Sequence, residues 1–254
     1  VNRISYDRAE IGKKLPHLKE FILVYRLDAA PTVYHMNPNA SSQPRSDLAF
    51  SSLRSHIIDG LLEPGTLLAE AAVARELGVS RVPVREALFH LESEGLVEFS
   101  ESGRAYVKEL SPQDFEELFI LRQTLEPAAA RLSAPKLKAD VSALERNIQA
   151  TRKAKSLAEV TRLDLDFHEL IVEASGNSRL LKLWRSLRSE LELWLGHLHR
   201  SHRENRLDTR EGTAGAHEQI VRCFQTASPV ACERIMRQHI LGWREWLPIT
   251  EVQP

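Results

Sequence analysis

A mainly α-helical protein is predicted by three features of this 254-residue sequence. Residues 71–95, AAVARELGVSRVPVREALFHLESEG, hold two short amphipathic segments separated by a glycine turn. Two short alternating runs follow, at 96–99 and 105–107. From Ser111 to Leu247 the apolar positions keep helical spacing, and no strand-like alternation persists. The fold expected from this is an N-terminal winged helix-turn-helix followed by an all-α helical bundle.

Residues 1–46 fit neither part and are expected to be a disordered arm or a mis-assigned extension. Their longest apolar run, Phe21–Tyr25, is too short for a membrane span or a signal-peptide core. The stretch AAPTVYHMNPNASSQPRSD, rich in Pro, Ser and Asn, reads as linker. Met36, one of two methionines, is the expected start of the functional protein, which would make residues 1–35 dispensable. A genuine N-terminal arm is the alternative.

The expected winged helix covers 47–110. Leu53, Ile57, Ile58 and Leu61 form an apolar helical stripe ending near Gly60, and Glu63-Pro64-Gly65-Thr66 is a turn. Val73 and Leu77 share one face of the next helix, and Gly78 closes it as a C-cap. Ser80 stands at the N-cap of the following helix and Pro83 in its first turn, where a missing N–H costs nothing. Val84, Leu88 and Leu91 are its buried stripe, whereas Arg81 and Arg85 share another face at i, i+4. The turn Ser100-Glu101-Ser102-Gly103 joins LVEF to AYV as a hairpin, with Arg104 near its tip.

A helix with arginines at its N-terminal end suits the major groove, where guanidinium can take the O6/N7 edge of guanine or hold a phosphate. An ordinary αα-hairpin with solvated arginines is the alternative on this stretch alone. Net charge argues for neither: the chain carries 34 basic and 35 acidic residues, and residues 47–110 carry six against eleven. A protein that coats nucleic acid by bulk charge is therefore excluded, and phosphate contact must come from a local cluster. The two cysteines, Cys223 and Cys232, lack CxxC spacing and read as reduced, buried small residues of a cytoplasmic protein.

Residues 111–250 make the expected helical domain. Ser111 and Pro112 open its first helix as N-cap and first position, with Asp114, Glu116 and Glu117 near the positive end. Six helices are expected, over 112–133, 136–154, 157–175, 178–203, 211–226 and 229–247. Their breaks are placed at Ser133-Ala134-Pro135, Ser175-Gly176-Asn177 and Ser228-Pro229. In LDLDFHELIVEASGN (163–177), Asp164 and His168 project from one helix face, and His217 and His239 lie in the last two helices. One carboxylate and three imidazoles are a good donor set for a divalent transition metal. A surface Asp–His pair and two unrelated histidines remain the alternative.

Other chemistry is absent. Val172 stands where HExxH needs its second histidine, and no nucleophile elbow, phosphate loop or dinucleotide fingerprint occurs. His197, His199 and His202 crowd one helix end without sharing a face, so interface or solvent positions are expected for them rather than a second metal site. Trp184, Trp194, Trp243 and Trp246 read as core or interface.

The run LRSHIIDGLLEPGTLLAEAAVARELGVSRVPVREALFHLESEGLVEF resembles the DNA-binding domain of the GntR family of bacterial regulators. That resemblance implies that Arg54, Ser80, Arg81 and Arg85, with Gly103 and Arg104 of the wing, contact operator DNA. Val82 departs from the small polar residue usual there, and Ala71 from an arginine found in some members. The second half, with D-x-x-x-H…SGN, H-E-x-I and M-x-x-H-I, is similar to the FadR-type subgroup with a metal-binding FCD effector domain. The similarity implies a metal on Asp164, His168, His217 and His239, with Zn²⁺ preferred and Ni²⁺ or Mn²⁺ possible ions. It also implies a small carboxylate effector held by Arg122 and Asn177. Pairing of Arg122 with Glu126, one turn later, is the competing reading. An acyl-CoA effector is disfavoured.

The expectation is thus a homodimeric transcription regulator, of the repressor kind, that reads an inverted repeat and answers to a small carboxylic acid. The alternative is a metal-dependent enzyme acting on a small carboxylate, with the winged helix as an interaction module. No general base aimed at the metal's open position can be named for it.

Overall fold

The computed structural model describes residues 44–109, 111–204 and 209–244. The arm expected over 1–46 lies almost wholly outside the described residues, as do the Met36 start and the end of the last helix. Nine helices and a two-stranded hairpin are described. The N-terminal part has α1 (Arg45–Ile58), α2 (Glu70–Leu77), α3 (Arg81–Ser93), β1 (Val97–Phe99) and β2 (Ala105–Val107). The C-terminal part has α4 (Pro112–Ala139), α5 (Ser142–Lys153), α6 (Leu157–Ala174), α7 (Ser178–Glu204), α8 (Thr209–Thr226) and α9 (Pro229–Arg244).

The helix-turn-helix forms where the punctuation puts it. Gly78 takes a φ of 64° as C-cap of α2, a left-handed conformation that a side chain would resist. Val73, Leu77, Val84, Leu88 and Leu91 are buried, as are Leu53 and Ile57 of α1, and α3 packs on both α1 and α2. Antiparallel β1 and β2 pair Val97 with Val107 and Phe99 with Ala105, and Leu67 bridges to Tyr106 on the outer edge. Two expectations are corrected. Leu61 is 59 % exposed and Leu62 takes the core position, because α1 stops at Ile58 and the chain turns at Gly60 with a φ of 73°. Ser80 occupies the N-cap position of α3 with extended backbone, but its hydroxyl makes no capping bond to the helix.

The helical part is all-α, and its first helix is longer than expected. Ser111 and Asp114 form a reciprocal capping box at its start. The break placed at Ser133–Pro135 does not occur: α4 runs through Pro127 and Pro135 to Ala139. An interior proline removes one backbone bond. Burial of Ala129, Ala130, Ala134 and Leu137 offsets that loss, and α4 packs more extensively on α9 than any other helix pair. The bundle core gathers Phe115, Phe167, Trp184, Leu191, Phe224 and Met236. Cys223 and Cys232 are free thiols, their sulfurs 3.8 Å apart, and burial pushes the Cys232 thiol up to about 12.

One helix, α7, carries the contacts that seat the N-terminal part. Glu192 accepts from Arg54 Nη2 at 2.5 Å, and Glu190 accepts from Lys108 at 2.7 Å. Ser189 donates to Glu94, which also accepts from Arg54 Nε at 3.2 Å. Arg200 donates to the Ile58 carbonyl at 2.9 Å, and a Cβ at Gly196 would lie 3.3 Å from that carbonyl oxygen. Gly95, with a φ of 73°, lies so close that a Cβ there would meet Glu190 Cγ at 2.5 Å.

Gly95→Ala is therefore expected to cost more than Gly103→Ala. Both force a side chain into left-handed backbone, about 1–2 kcal/mol, but only the first displaces Glu190 from Lys108. Urea unfolding of the two variants, compared with the parent, measures the difference.

Candidate metal centre and nucleic-acid face

Helical spacing puts Asp164 and His168 on one face of α6, and α8 and α9 bring His217 and His239 against them. The candidate ligand nitrogens of the three histidines lie within 4.8 Å of one another. Asp164 Oδ1 is 3.1 Å from His217 Nε2 and 3.5 Å from His168 Nε2, and His239 Nε2 is 3.3 Å from His168 Nε2. His168 and His217 are fully buried, and Phe167 stacks on the His217 ring at 3.8 Å. All four residues named from the sequence thus meet at one point.

The electrostatics of this cluster suit a cation. Burial would raise the Asp164 carboxyl, yet the imidazoles of His168 and His217 hold it well below the usual carboxylate range. Burial lowers His217, against the pull of Asp164, and lowers His239 far more, with the neighbouring histidines adding to it. Neutral His217 and His239 and ionised Asp164 are the protonation states a transition metal requires. Burial would lower His168, yet Glu126 and Asp164 raise it, so a metal there would displace a proton. Asp164 Oδ1 faces the Nε2 atoms of His217 and His168, and among the described residues Nδ1 of the buried His217 has no hydrogen-bond partner. A buried carboxylate ringed by three imidazoles is a donor set that a cation satisfies, and the residues fit a metal on that ground.

Two residues around the cluster were not assigned to it from sequence. Glu126 Oε2 sits 2.6 Å from His168 Nδ1, the far side of that ring from the cluster. The same carboxylate accepts from Arg122 at 2.6 and 3.3 Å and from Trp184 Nε1 at 3.1 Å. His199, expected at an interface or in solvent, is fully buried, with Nδ1 2.8 Å from the Thr161 hydroxyl and Nε2 3.7 Å from Asp164 Oδ2. No spacing rule links Glu126 or His199 to Asp164 and His168. Only the burial of polar side chains on apolar helix faces could have flagged them.

A cavity of about 290 Å³ opens beside the cluster. Arg122 lines it and is paired with Glu126, the partner of the competing reading. Asn177 does not line it: its side-chain oxygen caps α7 through the N–H groups of Arg179 and Leu180, so the effector role expected for Asn177 is corrected to a capping one.

On the N-terminal part, Ser80, Arg81, Val82 and Arg85 are exposed at the start of α3, and Gly103 and Arg104 are exposed at the wing. Arg85 forks onto Glu70 of α2 at 2.8 and 3.0 Å, which joins the two helices of the motif and orients the guanidinium. Arg54 is placed differently: Glu94 and Glu192 hold it between the two parts, so in this arrangement its guanidinium serves α7 rather than an outer face.

Residues 46–107 match the model of the bacterial regulatory proteins of the gntR family, and residues 117–242 match the FCD domain. The class is therefore a winged-helix regulator with a helical FCD domain. The gluconate operon transcriptional repressor of Bacillus licheniformis is 30 % identical over 178 residues, covering 68 % of this chain and 73 % of that protein. The transcriptional repressor RspR of Escherichia coli K12 is 33 % identical over 142 residues, 54 % of this chain and 61 % of that one. A Rhodococcus sp. RHA1 protein described as a GntR transcriptional regulator has the same fold, with a TM-score of 0.65 at 22 % identity over 82 % of this chain and 99 % of that one.

The chain belongs to the GntR family of bacterial transcription regulators. It is a DNA-binding regulator and not an enzyme, which sets aside the metal-dependent enzyme. Among the described residues no helix is long and apolar enough to cross a membrane.

Removing Glu126 should be severe, since Arg122 and Glu126 are 3 % and 1 % exposed. Glu126→Ala removes the buried carboxylate that Arg122, His168 and Trp184 share and is expected to cost about 3–5 kcal/mol. The double replacement Arg122→Met with Glu126→Met is expected to cost far less. Thermal and urea unfolding of both variants decide this.

Proposed function

We propose that this regulator holds a divalent metal, Zn²⁺ by preference and Ni²⁺ or Mn²⁺ as other candidates, on Asp164, His168, His217 and His239. A small carboxylate then binds beside it and sets the affinity for operator DNA. The observation that carries this reading is the convergence of three imidazoles and one carboxylate, from three helices, on a cavity that also holds the Arg122 guanidinium. When bound, the ion supplies an open position for a carboxylate oxygen. Arg122 gives the second anchor from the cavity wall. Glu126 holds the His168 ring in orientation from its Nδ1 side, as outer carboxylates do for metal-bound imidazoles.

Recognition of DNA is assigned to Ser80, Arg81 and Arg85 on α3 with Gly103 and Arg104 of the wing. A single winged helix reaches few base pairs, so a homodimer on an inverted repeat is part of the proposal. The sign is repression in the cytoplasm, relieved by the acid. Two relatives named as transcriptional repressors, the gluconate operon repressor and RspR, support the sign. Release requires that the acid bind the DNA-incompetent arrangement more tightly than the competent one. α7 supports such coupling, since it touches Asp164 through His199 and the winged helix through Glu190, Glu192 and Arg200.

Two measurements test the halves separately. Arg81→Ala should weaken binding to a selected operator fragment by about tenfold or more. Equal affinity of variant and parent at the same salt would remove Arg81 from the interface. His217→Ala and His239→Ala should each lose stoichiometric metal in elemental analysis, and with it the metal-dependent rise in melting temperature. Full metal content in both would end the four-residue site.

A further inference from the structure

The cavity contains one polar group that a carboxylate alone leaves unused. Thr213 lies on α8 one turn before His217, so the two side chains share a face. It is 4 % exposed and lines the cavity, and among the described residues its hydroxyl has no hydrogen-bond partner. Helical threonines have an easy remedy, a bond to the carbonyl four residues back. Thr124, Thr151, Thr161 and Thr226 all take it, onto Ile120, Asn147, Leu157 and Arg222. Thr213 does not. Thr209, whose hydroxyl also lacks a partner, opens α8 and is not part of the cavity wall.

A buried hydroxyl left unsatisfied is costly, and a ligand that pairs with it recovers the loss. The exposed Gln219 and Gln238 add amide donors and acceptors from α8 and α9 to the same cavity. Its volume of about 290 Å³ corresponds to roughly ten waters, enough for a short acid.

We infer that the effector is a hydroxy acid: its carboxylate faces Arg122 and the histidine cluster, and a hydroxyl pairs with Thr213. Further hydroxyls meet Gln219 and Gln238. The inference rests on the carboxylate reading given above and goes beyond it by naming the second recognition group and the class of acid. A site built around a hydrogen bond rejects the analogue that lacks the hydroxyl, because the buried partner is then left unpaired.

Calorimetric titration of the full-length, metal-replete protein tests this with two pairs of acids, lactate against propanoate and gluconate against hexanoate. The parent should prefer at least one hydroxylated member by about tenfold or more. Thr213→Val, of the same shape, should lose that preference while binding the plain acids as the parent does. Its ligand-free melting temperature should match or exceed the parent's, since no hydroxyl is left unpaired. Thr213→Ser keeps the oxygen and should keep the preference, and Thr213→Ala repeats the loss should the valine variant fold poorly. Equal affinities within both pairs for the parent, or a preference retained in the valine and alanine variants, would overturn the hydroxyl assignment alone. Failure of the metal-replete parent to bind any of the four acids would overturn the small-carboxylate reading and this inference with it.

Discussion

The buried carboxylate of Glu126 is the fixed point of the helical domain. It accepts from Arg122 on its own helix, from Trp184 on α7, and it meets His168 of α6. Burial alone would drive this carboxyl to its neutral form, but Arg122 and His168 hold it far below the ordinary range. An ion withdrawn this far from water is tolerable only when every lone pair is engaged. Three helices are thereby held in register by one side chain, and the orientation of His168 follows from it.

α7 extends this constraint outward. On one side it offers Trp184 to Glu126 and His199 to Asp164, and on the other Glu190, Glu192 and Arg200 grip the winged helix. Gly196 allows the backbones of α7 and the end of α1 to approach, since a side chain would crowd the Ile58 carbonyl. Residues 196, 199 and 200 span little more than one turn. A rotation of that turn cannot move His199 without moving Arg200.

The winged helix was legible because its boundaries are written in residues with restricted backbones. Gly78 and Pro83 bracket the turn, and their conformations depend little on distant packing. The breaks in the bundle were less legible where packing overrides local preference, as at Pro135, which the burial of Ala134 and Leu137 carries inside α4. Asp164, His168, His217 and His239 could be named together through the family pattern. The spacing of 164 and 168 gave only half the cluster, and 217 and 239 join it through the bundle's topology. Glu126 appeared only as a partner for Arg122, and His199 was misjudged as peripheral. Both act on residues of other helices, and no local rule reports such contacts. Asn177, in contrast, sits in a helix-start sequence that already explains it as a cap.

The ion pairs that seat the winged helix also decide how it can meet a polyanion. Of the six basic residues within 47–109, Arg54 and Lys108 are already neutralised by acids of α7 or its surroundings, and Arg85 is shared with Glu70. Few cations remain to displace the counterions condensed on a duplex, and each phosphate neutralised contributes a salt exponent of only about −0.9. Fewer phosphate contacts per subunit mean a shallower fall of binding with salt, and they leave a larger share of recognition to the base edges that Arg81 and Arg85 would reach.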